Sequence, residues 1–280
     1  MAKNMNGSSG TTTIKDPQTD PDLKRKRALG KIKNKILVMS GKGGVGKTSV
    51  SVNLAIALAS KGFKVGLMDV DIHGPDVPRM LGLKGLLDVN VNQKLTPIAY
   101  SENLSAVSIE SLIVNKDEAI IWRGPMKYSV IQQFIGDVEW GELDYLIIDS
   151  PPGTGDEPLT VAQMIPDARA IIVTTPQEVS LADVRKSISF CRTVKMEIIG
   201  LIENMSGFVC PHCGEQTDIF GSGGGEKTAQ AAGIMFMGKI PFDPQVVSCG
   251  DNGICYQEKY RDAAITKAFE SVAKNIADRS

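Results

Sequence analysis

Charge of one sign is missing from this chain of 280 residues: 31 lysines and arginines stand against 32 aspartates and glutamates, leaving −1 with histidine neutral. So even a balance supplies no global field toward nucleic acid or an anionic membrane, and neither partner is expected. Long hydrophobic runs are missing too. Nothing approaches the ~20 apolar residues of a membrane-spanning helix. The first residues are polar and lack a hydrophobic signal region, which points to an intracellular, cytoplasmic protein. Histidine is scarce: His73 and His212 are the only two, and His73 reads as a packed or solvent-facing loop residue rather than a ligand. The five cysteines are odd in number and suit a reducing compartment. None lies in residues 1–33, so that stretch holds no thiolate-ligated cluster.

The composition that remains permits a sizeable core, with 42% hydrophobic residues, and the length suits one α/β domain. Residues 1–33 look unlike the rest. Met1 to Asp22 is polar and rich in Ser, Thr, Gly and Pro, and a basic run, Lys24-Arg25-Lys26-Arg27, follows. The expectation is a disordered, basic tail over 1–33 and a single P-loop domain over 34–280.

The chain is organised around Ser40-Gly41-Lys42-Gly43-Gly44-Val45-Gly46-Lys47-Thr48, with Ser49 following. It fits G-x-x-x-x-G-K-(S/T). An apolar run, Ile36 to Met39, precedes it as a buried parallel strand. A helical pattern from Lys47 to Lys61 follows, with Val50, Leu54, Ala57 and Leu58 on one face. Glycines without Cβ atoms let successive backbone N–H groups converge on a phosphate, and the helix N-terminus adds positive potential. Lys47 is expected on the β- and γ-phosphates and Thr48 on Mg²⁺. Lys42 is a second lysine that an ordinary P-loop does not need. Within GKGGVGKT it resembles the deviant Walker A signature of nitrogenase iron protein, MinD and ParA. The resemblance implies a lysine acting across a dimer interface, stabilising charge as an arginine finger does.

Carboxylates recur at predicted strand ends. Lys64 to Asp69 reads as a strand running into Asp69-Val70-Asp71. Alternation puts Asp69 and Asp71 on one side, one to orient water and the other to hold a Mg²⁺-bound water. Leu143 to Asp149 closes on four apolar residues, Tyr145 to Ile148, and an aspartate, a Walker B strand with Asp149 toward Mg²⁺. In the next loop, Gly153 is expected to present its N–H to a γ-phosphate. Further strands at Ala170–Thr174, Glu197–Glu203 and Phe236–Ile240 alternate with helices. The pattern predicts an α/β fold with a doubly wound, mostly parallel sheet flanked by helices. Asn204 at a strand end, with Pro241 and Asp243 after the next strand, reads as a base pocket, adenine and guanine both remaining open.

Cys210-Pro211-His212-Cys213, in a loop over 205–221, offers two thiols that can chelate one metal centre. Two thiolates are half a set for Zn²⁺ or an iron–sulfur cluster, and a two-fold axis would complete Cys₄. On spacing alone the two metals rank together, and a redox dithiol ranks below them.

The motifs GKGGVGKT, DVDIHGPDVPRMLG, YLIIDSPPGTGD, ENMSGFVCPHCGE, IFGSGGGEKTA and IPFDP occur in this order. From about Lys35 to about Gly253 the chain resembles the Mrp/ApbC family of iron–sulfur cluster carrier ATPases. The resemblance implies a homodimer that binds and slowly hydrolyses ATP. It also implies a bridging 4Fe–4S cluster on Cys210 and Cys213, passed between scaffold proteins and apo-protein clients. Lys42 becomes the trans lysine and Asp71 the water-orienting residue. The rivals are a MinD- or ParA-like spatial-organisation ATPase and an ATPase dimer stapled by structural zinc.

Overall fold

The computed structural model describes residues 20–113, 123–210 and 212–279. Helix α1 (Pro21–Leu29) leads into strand β1 (Ile32–Ser40), and the P-loop joins it to α2 (Lys47–Ser60). Then come β2 (Val65–Asp69), α3 (Val77–Met80), the short β3 (Asp88–Val89) and β4 (Leu95–Thr96), β5 (Ile98–Ser101) and β6 (Leu104–Ser108). Helix α4 (Gly124–Gly136), β7 (Leu143–Asp149), α5 (Asp156–Met164), β8 (Arg169–Thr174) and α6 (Glu178–Thr193) follow. The chain continues through β9 (Ile198–Val209), β10 (Gln216–Thr217), α7 (Gly224–Ala232), β11 (Phe236–Phe242), α8 (Pro244–Asp251), α9 (Tyr256–Lys259) and α10 (Ala264–Ala277).

The main sheet runs β10-β9-β8-β1-β7-β2-β6-β5, with β11 also on β9. Pairings among β6, β2, β7, β1, β8, β9 and β11 are parallel; β5 and β10 pair antiparallel at the margins. The expected doubly wound architecture is what the chain forms. β1 lies between β7 and β8, so strand order reverses beside it and the P-loop emerges at the switch point, where open α/β sheets bind ligands.

Both faces of this sheet are covered, as parallel strands require. Alternate residues serve opposite cores. Ile36, Val38, Leu67, Ile147 and Ile171 face α2 and α10. Leu37, Met39, Met68, Ile148 and Ile172 face the side that holds Phe134, Val161 and Ile188 from α4, α5 and α6. Helix α2 is alanine-rich and buried over most of its length, so it lies close against the strands. Helix α10 buries Ile265, Phe269, Val272, Ala273 and Ile276, a spacing of one helical face.

Two boundaries depart from the sequence reading. The expected tail over 1–33 overlaps folded structure. Asp20 accepts the Asp22 N–H at 2.9 Å and caps α1, Pro21 opens the helix, and Leu29 and Ile32 join the core. Four consecutive cations hide this start, because only Leu29 and Ile32 mark the buried side. β9 runs on to Val209, well past Glu203, bending at Met205 and Gly207, whose φ angles are 55° and 83°. The glycine run 221–225 is anchored at the N-terminus of α7, where Gly223 and Gly225 donate to Glu203.

Phe269 is fully enclosed between α10 and the sheet. Phe269→Ala should lower unfolding free energy by about 3–5 kcal/mol in a urea titration, through lost burial and the cavity left behind. A loss under about 1 kcal/mol would show that α10 is not integral to the core.

Candidate functional site

Parallel register brings the acidic strand ends together: Asp69 lies opposite Asp149, and Val38 lies opposite Asp149 on the other side. Lys47, the first residue of α2, points at them. Its Nζ is 2.7 Å from Asp149 Oδ1 and 3.8 Å from Asp71 Oδ2. Thr48 Oγ1 donates to Asp149 Oδ2 at 2.8 Å and Ser51 Oγ to Oδ1 at 2.6 Å. Ser51 was not singled out from sequence, although it lies one turn after Lys47 on the same helix face. Asp69 accepts from Ser108 Oγ at 2.9 Å and from the Asp71 N–H at 3.0 Å. Burial, then the neighbouring Asp149 carboxylate, holds the Asp69 carboxyl well above its ordinary pKa. Burial also raises Asp71, with Lys47 opposing.

The loop has the backbone of a phosphate cradle. Gly44 and Gly46 are left-handed, with φ of 78° and 77°. A Cβ on Gly44 would project into open space, whereas one on Gly46 would strike Asn204 Nδ2 at 2.3 Å. One on Gly41 would meet the Asp183 backbone at 2.3 Å, so α6 packs directly on the loop. Lys42 is half-buried. Among the described residues its ammonium makes no hydrogen bond or ion pair; only its carbonyl is engaged, by Ser40 Oγ. Gly43, Gly44 and Ser49 remain partly or fully exposed and Val45 is buried.

Two expected roles meet competing bonds. The Gly153 N–H donates to the Ser40 carbonyl at 2.8 Å, so contact with a phosphate requires that bond to open. The Asp243 carboxylate is taken on both oxygens, capping α8 through the Gln245 N–H at 2.8 Å and accepting from Tyr256 OH at 2.6 Å. Those two bonds fix the carboxylate in place and leave each oxygen a further lone pair. Asn204 donates to the Val45 carbonyl at 2.9 Å. With Gly46, Ser49, Pro241 and Asp243 it lines a cavity of about 390 Å³ between the P-loop and α8.

Past the bend in β9, the cysteine loop is a tight turn. The Cys210 N–H donates to Glu215 O at 2.9 Å, and the Gly214 N–H returns to Cys210 O at 2.8 Å. Backbone N–H groups of Cys213 and His212, then the Cys213 thiol, lower the Cys210 pKa. Cys213 is exposed. Among the described residues no three His, Cys, Asp or Glu side chains are grouped to hold a metal. Among the described residues one chain thus presents two neighbouring thiols, Cys210 with its pKa lowered, and no group of three metal ligands.

A family model described as ParA: NUBPL iron-transfer P-loop NTPase matches residues 31–277. The chain belongs to that family. As an iron-transfer P-loop NTPase it is 50% identical, over 90% of its length and 97% of the relative's, to the cytosolic Fe-S cluster assembly factor NUBP2 homolog of Dictyostelium discoideum. It is 48% identical to the iron-sulfur cluster carrier protein of Methanocaldococcus jannaschii, over 92% of this chain and 89% of that one. Among solved structures, the nucleotide-binding protein of Archaeoglobus fulgidus in complex with ADP superposes with a TM-score of 0.73 at 41% identity, covering 83% and 91% of the two chains. The cell division ATPase MinD of Pyrococcus furiosus shares the fold, with a TM-score of 0.66 at 22% identity, over 88% of this chain and 99% of MinD. This NTPase is thus a nucleotide-binding member of an iron–sulfur carrier and assembly family.

The thiols should differ sharply in reactivity. Burial pushes Cys191 up to about 12, Cys249 is sealed from solvent, and the Cys210 thiol is lowered. Only thiolate reacts, so alkylation of metal-free protein should mark Cys210 at a pH below the usual thiol midpoint of about 8.5 and leave Cys191 unmarked to about pH 10. Mass mapping that finds Cys191 labelled first would contradict this geometry.

Proposed function

We propose that two copies of this chain hold ATP between them and carry a 4Fe–4S cluster on paired Cys210 and Cys213 loops, for transfer from scaffold proteins to apo-protein clients in the cytosol. The observation that carries the reading is that one chain holds two half-built sites. Among the described residues the Lys42 ammonium has no partner, and the cysteine turn supplies two thiols where a cluster takes four. One two-fold axis completes both. The relatives' names, carrier and cytosolic assembly factor, point the same way.

The residues present suit magnesium. Thr48 and Asp149 are hard oxygen donors at the mouth of the glycine cradle, and with Asp69 they would hold the ion, directly or through water. Bound there, Mg²⁺ would neutralise charge on the β- and γ-phosphates. The chain's own groups do the rest. Lys47 stands within reach of Asp149 and Asp71, so a triphosphate in the cradle competes with those carboxylates for its ammonium. Asp71 orients the attacking water. The partner copy's Lys42 side chain faces the transferring phosphoryl group and offsets its developing charge. Asn204, Pro241 and Asp243 bound the purine. The Gly153–Ser40 bond breaks when the loop turns its N–H to a γ-phosphate and re-forms after hydrolysis.

A membrane switch of the MinD kind is disfavoured, because the apolar face of α10 is spent inside the fold. Anaerobic reconstitution with iron and sulfide should give broad absorption near about 400 nm, lost in Cys210→Ala and in Cys213→Ala. Full iron and sulfide in both variants would refute the assignment of the cargo site. Zinc without iron in anaerobically purified protein would favour the stapled dimer.

A further inference from the structure

Glu203 is a buried carboxylate that the nucleotide and cargo sites do not use. It accepts the Gly223 N–H at 2.9 Å, the Gly225 N–H at 2.5 Å and the Ser206 hydroxyl at 2.5 Å. Among the described residues no cation pairs with it; nearby Lys239 pairs with Glu226 instead. The charge is balanced by converging N–H groups at the N-terminus of the nine-residue α7, a cradle like one that binds phosphate. The fit is close. A Cβ on Gly225 would stand 3.0 Å from Glu203 Oε2, and one on Gly224 would strike Pro176 O at 2.6 Å. This explains GSGGGEKT, a phosphate-loop-like run in which Glu226 stands where the P-loop pattern has its last glycine: its anion is a side chain of the same protein.

Position gives this bond its consequence. Glu203 is followed by Asn204, which holds the P-loop carbonyl of Val45. Met205 and Gly207 then take left-handed φ angles, and the strand resumes to Val209 and Cys210. Asn204 touches the nucleotide loop, Glu203 grips a fixed helix end with Ser206 bracing its carboxylate, and the thiol arm starts beyond the bend. A movement of the P-loop reaches the strand at Asn204. With Glu203 pinned behind it, the displacement is steered forward into the Met205–Gly207 bend and the arm.

We propose that Glu203 is a positioning residue that makes the pose of the Cys210 arm depend on what the P-loop holds. This rests on the reading of the P-loop and cysteine loop given above, and it is read without iron. In metal-free, full-length protein, maleimide labelling of Cys210 and Cys213 is timed with and without magnesium and a non-hydrolysable ATP analogue. Wild type should show a rate difference of about 5-fold or more. Glu203→Gln replaces an oxygen acceptor by an amide donor facing N–H groups. It should cut the difference below about 2-fold while analogue affinity stays within about 3-fold of wild type.

Ser206→Ala keeps the cradle filled, should cut the difference in part, and decides the matter if Glu203→Gln does not fold. An unchanged difference in the folded variants, or none in wild type, overturns the proposal. So does a parallel fall in melting temperature and affinity with the difference intact, which is what a purely structural staple would give. The cargo reading fails separately: labelling that responds to the analogue in a chain that takes up no iron would sink the cargo and leave the coupling.

Discussion

Where α2 begins beside the end of β7, a lysine ammonium and a carboxylate sealed from water stand 2.7 Å apart. Burying two charges costs several kcal/mol per ion, and only close geometry with further hydrogen bonds offsets that cost. Thr48 and Ser51 supply those bonds to Asp149. The rest of the site depends on this pair. It needs β1, β2 and β7 in parallel register and α2 starting at Lys47. It also leaves a strong cation and hard oxygen donors gathered under a concave glycine loop. A polyphosphate with a divalent ion satisfies the same groups, which is the physical meaning of a P-loop poised to exchange one set of partners for another.

The second constraint is the continuity of β9. One strand supplies Glu203 to the N-terminus of α7, Asn204 to the P-loop and, past a bend, the cysteine turn. Two chemically unrelated sites are therefore a few residues apart on one backbone. Among the described residues the Lys42 ammonium has no partner and the cysteine turn offers two thiols. In the proposed reading, one two-fold axis serves both.

The parts of this arrangement visible in the sequence are those whose chemistry is local. The P-loop, the aspartate-ended strands and C-x-x-C each occupy consecutive residues, so spacing alone reports them. The apolar runs at Ile36–Met39 and Tyr145–Ile148 likewise predict buried strands. Tertiary contacts stayed out of sight. Nothing local shows that Asp243 accepts from Gln245 and Tyr256. Nor does the loop sequence show that the Gly153 N–H is donated to the Ser40 carbonyl. Helix α1 hid behind four cations, and Glu203 behind its place in an apolar strand. Its partners Gly223 and Gly225 lie about twenty residues away, beyond the cysteine loop.

The central claim, that each nucleotide site is finished by the other copy, has a direct test. Lys42→Ala and Asp71→Asn are purified separately, then mixed in equal amounts under conditions that let subunits exchange, and ATP hydrolysis is measured. In the mixed dimer, one site joins an intact Asp71 to an intact Lys42 from the opposite chain. Half the dimers are then mixed, each with one working site of two, and the mixture should recover about a quarter of wild-type activity. Activity no higher than the mean of the two parents, with subunit exchange verified, would place Lys42 in its own subunit's site and contradict the account.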